Sequence, residues 1–230
     1  MRGCPIINVM INVDLIPVLS DNYAYAIHCS NGHVIIVDPG EAQPVIDYLE
    51  ERNLDPAAIL NTHHHGDHIA GNHALKEKYG IPLIGPSYES ARISGMDRSV
   101  SEGEEFEVSG EITRVLHTPG HTSGHICFYF PDHGILFAGD TLFAMGCGRV
   151  FEGTMEQMHA SLQKLAALPD ETLVFCGHEY TLANAEFCLQ IEPDNAALQK
   201  RAKDIKAMRA ADQPTIPTTL SLEKATNVFL

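Results

Sequence analysis

The sequence predicts an α/β protein with a helical appendage at its C-terminal end. Three observations carry that expectation. Short apolar runs rich in Val, Ile, Phe and Tyr alternate with amphipathic helical stretches as far as Cys176. Several of those runs stop abruptly at Gly, His or Asp. After Gly177 the strand-like runs cease and helical periodicity takes over.

Val13–Leu19 and Tyr23–His28 read as two strands around a Ser20-Asp21-Asn22 turn, and His33–Val37 as a third, ending at Asp38-Pro39-Gly40. Gln43–Arg52 places Val45, Ile46 and Leu49 on one helical face. The strand Ala57–Leu60 follows, then a histidine-rich loop, then a short helix Asn72–Tyr79 closed by Gly80. Ile81–Ile84 is a strand, and the polar stretch Ser87–Gly103 reads as loop. Phe106–Val108 with Ile112–His117, and Gly124–Phe130 with Gly134–Ala138, form antiparallel pairs. Thr154 and Gln157 make a capping-box pattern at the head of a helix Thr154–Leu168, which Pro169 stops. Thr172–Cys176 is the last expected strand. Leu182–Ile191 and Asn195–Ala211 are helical, with Asp194 as the expected cap of the second. Lys200, Arg201, Lys203, Lys206 and Arg209 on that helix read as a solvated polar face, and Pro214–Leu230 reads as extended. No repeat or low-complexity tract is evident.

The length of 230 residues suits one large domain or one domain with a small appendage. A formal charge of −15 argues against nucleic acid or an anionic membrane as partner, and an anionic substrate would need a local basic patch. The six cysteines are scattered without a C-x-x-C pair; Cys29, Cys127 and Cys176 sit in apolar runs and read as buried free thiols in a reducing, cytoplasmic compartment. No apolar run approaches a membrane span. Residues 1–9 read as an N-terminal extension without a cleavage pattern, and Met10 is an alternative start.

The functional signal centres on Thr62-His63-His64-His65-Gly66-Asp67-His68, in which five of seven residues can ligate a metal. It follows the strand Ala57–Leu60 directly. His63 and His65, two apart in extended chain, point the same way. Asp67 and His68 follow as the chain turns at Gly66, so one segment offers ligands in two directions. Imidazole nitrogens and carboxylate oxygens suit zinc, iron or manganese. Three later segments bring further ligand types to strand ends: His117-Thr118-Pro119-Gly120-His121-Thr122-Ser123-Gly124-His125, Gly139-Asp140-Thr141 and Gly177-His178-Glu179-Tyr180. In the last two, an apolar strand runs into Gly, which permits close backbone approach. His28, His33, His73, His133 and His159 read as surface or strand-end residues, and His64 as facing away from the metals. His117 and His125 read as supporting hydrogen-bonding residues, Asp38 equally as such a support or as part of an ordinary strand-ending turn, and Cys147 as a bystander.

At these motifs the chain resembles the metallo-β-lactamase superfamily and, within it, the glyoxalase II (hydroxyacylglutathione hydrolase) family. Besides Thr62–His68, the matching stretches are Ser20–Tyr25, Val37–Gly40, Thr118–His125, Gly139–Phe143, Gly146–Arg149, Phe151–Thr154 and Gly177–Thr181. The resemblance implies a four-layer αββα sandwich over residues 10–178, with a C-terminal helical substrate-binding region over 179–230 lying across the site. It implies two divalent metal ions per chain, zinc foremost with iron or manganese as alternatives. His63, His65 and His121 would hold the first ion, Asp67, His68 and His178 the second, and Asp140 would bridge both. Two such ions about 3.5–4 Å apart can ionise a bridging water near neutral pH and polarise a carbonyl. Asp67 and Asp140 are therefore the expected catalytic carboxylates.

The implied reaction is hydrolysis of S-D-lactoylglutathione to D-lactate and glutathione by attack of a bridging hydroxide, in a monomer. Arg149 would bind a substrate carboxylate, Tyr180 would hydrogen-bond the glutathione backbone, and Phe151 lacks the hydroxyl that some relatives carry there. Family members continue past Asn227-Val228-Phe229-Leu230 with an Arg and further helix, so part of the carboxylate clamp is expected to be missing and the helical region to be truncated. The alternatives are a mononuclear iron persulfide dioxygenase, which needs no complete second site, a lactonase or β-lactamase, a nucleic-acid-processing relative, and a non-catalytic metal module. The order of the later motifs favours the thioester hydrolase.

Overall fold

The computed structural model describes residues 11–230; the extension over residues 1–9 and the alternative start at Met10 lie outside them. Two six-stranded sheets face each other. The first contains β1 (Asn12–Val18), β2 (Asn22–His28), β3 (Val34–Val37), β4 (Pro56–Leu60), β5 (Leu83–Pro86) and β6 (Arg98–Val100), in that spatial order. β1 to β3 are antiparallel, and β3 to β6 are parallel. Parallel neighbours need crossovers, and α1 (Ala42–Glu51), α2 (Gly66–Ile69) and α3 (Asn72–Tyr79) lie in them.

The second sheet is built from β7 (Glu105–Val108), β8 (Glu111–His117), β9 (Ile126–Phe130) and β10 (Ile135–Gly139), an antiparallel meander. A small hairpin of β11 (Leu142–Phe143) and β12 (Gly146–Cys147) follows, then α4 (Met155–Ala166) and β13 (Leu173–Cys176), which lies parallel to β10. α5 (Thr181–Ile191), α6 (Ala196–Ala210), β14 (Thr218–Thr219) and α7 (Leu220–Thr226) complete the chain.

Side-chain alternation explains the layering. On β2, Tyr25 and Ile27 point inward to meet Ile35, Phe128, Phe137 and Phe175 in the core between the sheets. Ala24 and Ala26 point outward and pack with Val45 and Leu49 of α1 and Leu75 of α3. On the far side, Tyr129 and Leu136 face Met158, Leu162 and Leu165 of α4. The order is helix, sheet, sheet, helix: the four-layer αββα sandwich. A separate core of Ala185, Cys188, Leu198, Ala202 and Ile205 joins α5 to α6 and takes in Met145 of the hairpin.

Five sequence expectations are corrected. Ser87–Gly103 contains β6, an edge strand of three residues with Arg98 and Ser99 exposed, too short for alternation to show. The turn after His65 is the first turn of α2, with His68 N–H bonded to His65 O at 3.0 Å; Gly66 has no left-handed φ there and is not needed for it. Asn195, not Asp194, caps α6, its side chain accepting from Leu198 N. Arg201 is buried rather than part of a solvated face. The stretch after Pro214 is not extended throughout: β14 pairs with β13, and Thr219 caps α7 by accepting from Leu222 N. Among the described residues no helix is long and apolar enough to cross a membrane.

Candidate metal centre

The loops after β4, β8, β10 and β13 meet at one edge of the sandwich. They carry His63, His65, Asp67 and His68; His121; Asp140; and His178, so every expected ligand position stands in one place. The inward nitrogens of His63, His65 and His121 form one group, with His65 Nδ1 3.2 Å from His63 Nε2 and 2.9 Å from His121 Nε2. Asp67, His68 and His178 form a second, with Asp67 Oδ2 3.7 Å from His68 Nε2 and 3.5 Å from His178 Nε2. Asp140 stands between them. Its Oδ2 is 3.3 Å from His121 Nε2 and 3.2 Å from His178 Nε2, and its Oδ1 is 3.4 Å from His68 Nε2.

Outer hydrogen bonds fix the tautomers. His121 Nδ1 lies 2.9 Å from Arg149 O, which can only accept. His178 Nδ1 lies 2.9 Å from Asp21 Oδ1, and His68 Nδ1 3.2 Å from Asp38 Oδ2. The Thr62 hydroxyl gives its proton to Asp38 Oδ2 at 2.6 Å, so it must accept from His63 Nδ1 at 3.0 Å. In all four rings Nδ1 carries a proton on the outer side, so whenever the ring is neutral its lone pair points inward.

Lone pairs and two carboxylates thus converge on the same space, which is repulsive unless a cation occupies it. His68 Nε2 and Asp140 Oδ1 are buried without any hydrogen-bond partner, a costly state for polar atoms. Protonation follows the same demand. Burial, with the surrounding histidines, drives His63 well below the ordinary value, and burial lowers His65 and His121. For His68 burial opposes the charge, but Asp140, Asp38 and Asp67 together push it up to about 9. Asp140 is buried, yet His68, His178 and His121 hold it below the usual carboxylate range. A donor set of nitrogens and carboxylate oxygens fits divalent metal ions.

Glycine is required at two strand ends. Gly139 has φ +47°, and a Cβ there would lie 2.5 Å from Thr62 Oγ1 and 2.6 Å from His125 Nε2. A Cβ at Gly177 would lie 2.4 Å from Asp140 Oδ1. His125, fully buried, accepts from Asp140 N at 3.0 Å and so sets that residue's backbone.

Other supports were not legible as such. Asn22 donates to Asp67 Oδ2 at 2.9 Å, and Asp21 holds His178, both from a stretch that reads as a turn and matches the family without any role for either residue. Glu89, fully buried, accepts from Thr122 Oγ1, from Gly124 N at 3.1 Å and from His64 Nδ1 at 2.9 Å. It ties the two histidine loops together, and His64 faces it rather than the centre. Glu89 lies in the polar stretch expected to be loop, where nothing marked it.

A cavity of about 570 Å³ opens from the centre. Phe143, Cys147, Arg149, Phe151, Tyr180 and Asn184 line it beside the histidines. Arg149 is exposed, Phe151 is 62% exposed and Tyr180 39%, so all three are free to meet a ligand. Burial and the nearby Asp21, Asp140 and Asp67 push Tyr180 up to about 12, keeping its hydroxyl a donor. Burial pushes the Cys147 thiol up to about 11, so it is a neutral wall residue.

Residues 19–178 match the model of the metallo-beta-lactamase superfamily, the class that this sandwich and this histidine–aspartate edge define. Residues 179–230 match the model of the hydroxyacylglutathione hydrolase C-terminus. The chain is 48% identical over 221 residues to the hydroxyacylglutathione hydrolase of Rhizobium meliloti, covering 96% of this chain and 86% of that one. It is 50% identical over 222 residues to the enzyme of the same name from Methylococcus capsulatus, covering 96% and 87%. The crystal structure of the B3 metallo-beta-lactamase BLEG-1 superposes with a TM-score of 0.73 at 26% identity, over 95% of this chain and 99% of that one. The chain belongs to the hydroxyacylglutathione hydrolase family.

Proposed function

We propose that the protein hydrolyses S-D-lactoylglutathione, and 2-hydroxyacylglutathione thioesters generally, to the hydroxy acid and glutathione. One observation carries the reading: Asp140 stands between two ligand groups, its Oδ1 buried without a hydrogen bond 3.4 Å from His68 Nε2. His63, His65 and His121 would hold one divalent ion, Asp67, His68 and His178 a second, and Asp140 both. When bound, two such ions supply an ionised water and polarise the thioester carbonyl. Zinc is the metal proposed, although the same donors accept iron or manganese.

The chain's own residues set up the rest. Asn22 orients Asp67, and His125 and Gly139 hold the backbone of Asp140. A thiolate leaves without strong help from a general acid, so the reaction asks for none from the cavity wall. Residues 179–230 act as the substrate-binding region, with Tyr180 at its head donating to the glutathione backbone and Phe151 offering an apolar edge. The protein is proposed to act as a cytoplasmic monomer, in line with buried free Cys29, Cys127, Cys176 and Cys188.

Glutathione carries two carboxylates, whereas the chain is strongly acidic, so recognition rests on local cations. Arg149 is the basic side chain lining the cavity. A well-oriented guanidinium–carboxylate pair contributes about 1.5–3 kcal/mol. Arg149→Ala should therefore raise KM for lactoylglutathione about ten- to a hundredfold with a smaller change in kcat, because the carboxylate is remote from the reacting carbonyl. Steady-state kinetics checks this. An unchanged KM would point instead to a smaller or neutral thioester.

A further inference from the structure

The Leu142–Cys147 hairpin lies in sequence between Asp140 and Arg149 and gives Phe143 and Cys147 to the cavity wall, and side chains of the C-terminal region hold its tip. Asn227 Nδ2 donates to Phe143 O at 3.3 Å and to Gly146 O at 3.1 Å. Glu223 Oε2 accepts from Met145 N at 2.8 Å. Met145 O accepts from the Cys188 thiol at 3.1 Å, and Ala144 O from Asn184 Nδ2 at 3.0 Å. Four consecutive residues are thus gripped through their backbones by α5 and by the end of α7. Met145 sits at φ +58°, a left-handed conformation that a residue with a side chain adopts only where its surroundings impose it.

The grip is itself braced. Glu223 Oε1 pairs with Arg201 and accepts from Thr218 Oγ1 at 2.6 Å. Arg201 also donates to Thr218 Oγ1 at 2.9 Å and Thr226 Oγ1 at 2.5 Å. Glu223, Arg201 and Asn227 are 0%, 8% and 5% exposed. Buried ion pairs are an inefficient source of stability, so fixed geometry is the stronger account of this one. Beyond the tip, the chain is locked to the centre. A Cβ at Gly148 would lie 1.8 Å from Asp140 O, and Arg149 O accepts from His121. Phe143 packs edge-on against His178 and Tyr180.

We infer that Asn227, with Glu223 beside it, is a positioning residue for substrate recognition: it fixes the hairpin, and through the hairpin the place of Arg149. The inference rests on the assignment of Arg149 to a substrate carboxylate. By it, the C-terminal segment governs KM more than the chemical step.

The test is Asn227→Ala in the full chain with metal loaded, read by amide hydrogen exchange over 142–149, metal content and lactoylglutathione kinetics. Exchange across the hairpin should accelerate with metal content unchanged. KM should rise about three- to tenfold, the effect of one or two lost neutral hydrogen bonds, with a smaller change in kcat. In an Arg149→Ala background the same substitution should change KM by less than about twofold, because both act through one element. Unchanged exchange would overturn the clamp. Faster exchange with unchanged KM, or a full KM effect repeated without Arg149, would overturn the positioning role. If Arg149→Ala alone leaves KM at the wild-type value, the substrate assignment fails separately, and a KM raised together with faster exchange in Asn227→Ala still decides the hairpin's part. Should Asn227→Ala not fold, Cys188→Ala, which removes the thiol bond to Met145 O together with a small amount of core packing, gives the same comparison.

Discussion

Asp140→Ala is expected to lower turnover of lactoylglutathione by at least about a hundredfold, the order seen when a strong electrostatic element is lost from an active site. Asp140 faces His121 in one ligand group and His68 and His178 in the other, at 3.2–3.4 Å. Without it, Asp67 is the carboxylate left facing the inward nitrogens, Asp21 and Asp38 being on the outer side of His178 and His68, and the two groups lose the residue they share. Metal content should fall with activity, since neither group keeps its full donor set. The substitution removes volume rather than adding it, and the core beneath is formed by other residues, so the fold should survive. Parallel measurement of kcat and bound metal checks the expectation. Near-wild-type turnover with full metal content would rule out the bridging role.

Asp38→Asn is the second substitution with a large expected effect, although Asp38 touches none of the reacting groups. Asp38 is 3% exposed and accepts three protons, from Thr62 N at 2.8 Å, Thr62 Oγ1 at 2.6 Å and His68 Nδ1 at 3.2 Å. An amide keeps the shape, and its oxygen can still accept from Thr62 N. Its NH₂ then takes the place of Oδ2 and faces Thr62 Oγ1 and His68 Nδ1 together: His68 is driven to the tautomer with its proton on Nε2 and no inward lone pair, and the Thr62 hydroxyl, now accepting from the amide, turns its proton to His63 Nδ1 with the same result. Loss of such an outer partner costs roughly ten- to a hundredfold in metal affinity or activity. The expected result is weaker binding of both ions, since His63 and His68 belong to different ligand groups, with Tm close to wild type. Metal titration followed by calorimetry reads this directly, and two ions held at wild-type affinity in Asp38→Asn would remove Asp38 from the centre. Asp38→Ala should be worse, because it also strands the Thr62 amide in the interior, at a cost of about 1–3 kcal/mol.

The seven expected ligand positions were legible through the family's motifs. Of them, Asp140 and His178 stand where an apolar strand runs into Gly, and His63 and His65 follow β4, whereas Asp67 and His68 lie in α2 and His121 in the loop after β8. The strands were legible because both faces of each sheet are covered, so β2, β3, β9 and β10 read as short apolar runs. The supports of the centre were harder to read. Asp21 reaches His178 across 157 residues of sequence, and Glu89 reaches both histidine loops from a short polar turn. Their burial is purely tertiary, and turn-forming residues look alike whether they face water or a histidine. Arg201 shows the same limit from the opposite side. A helix with Lys200, Lys203 and Lys206 reads as solvated, yet one guanidinium points inward to Glu223, a residue of α7 that only β14 pairing and a threonine cap bring close.

The most direct test is a metal count on the purified chain, taken together with its turnover of S-D-lactoylglutathione and its oxygen uptake in the presence of a glutathione persulfide. The expected result is two metal ions per chain, release of free thiol from lactoylglutathione and no oxygen uptake. One ion per chain even under added zinc or iron, with oxygen consumed and no thioester cleaved, would contradict the dinuclear hydrolase and assign the site to a mononuclear iron dioxygenase.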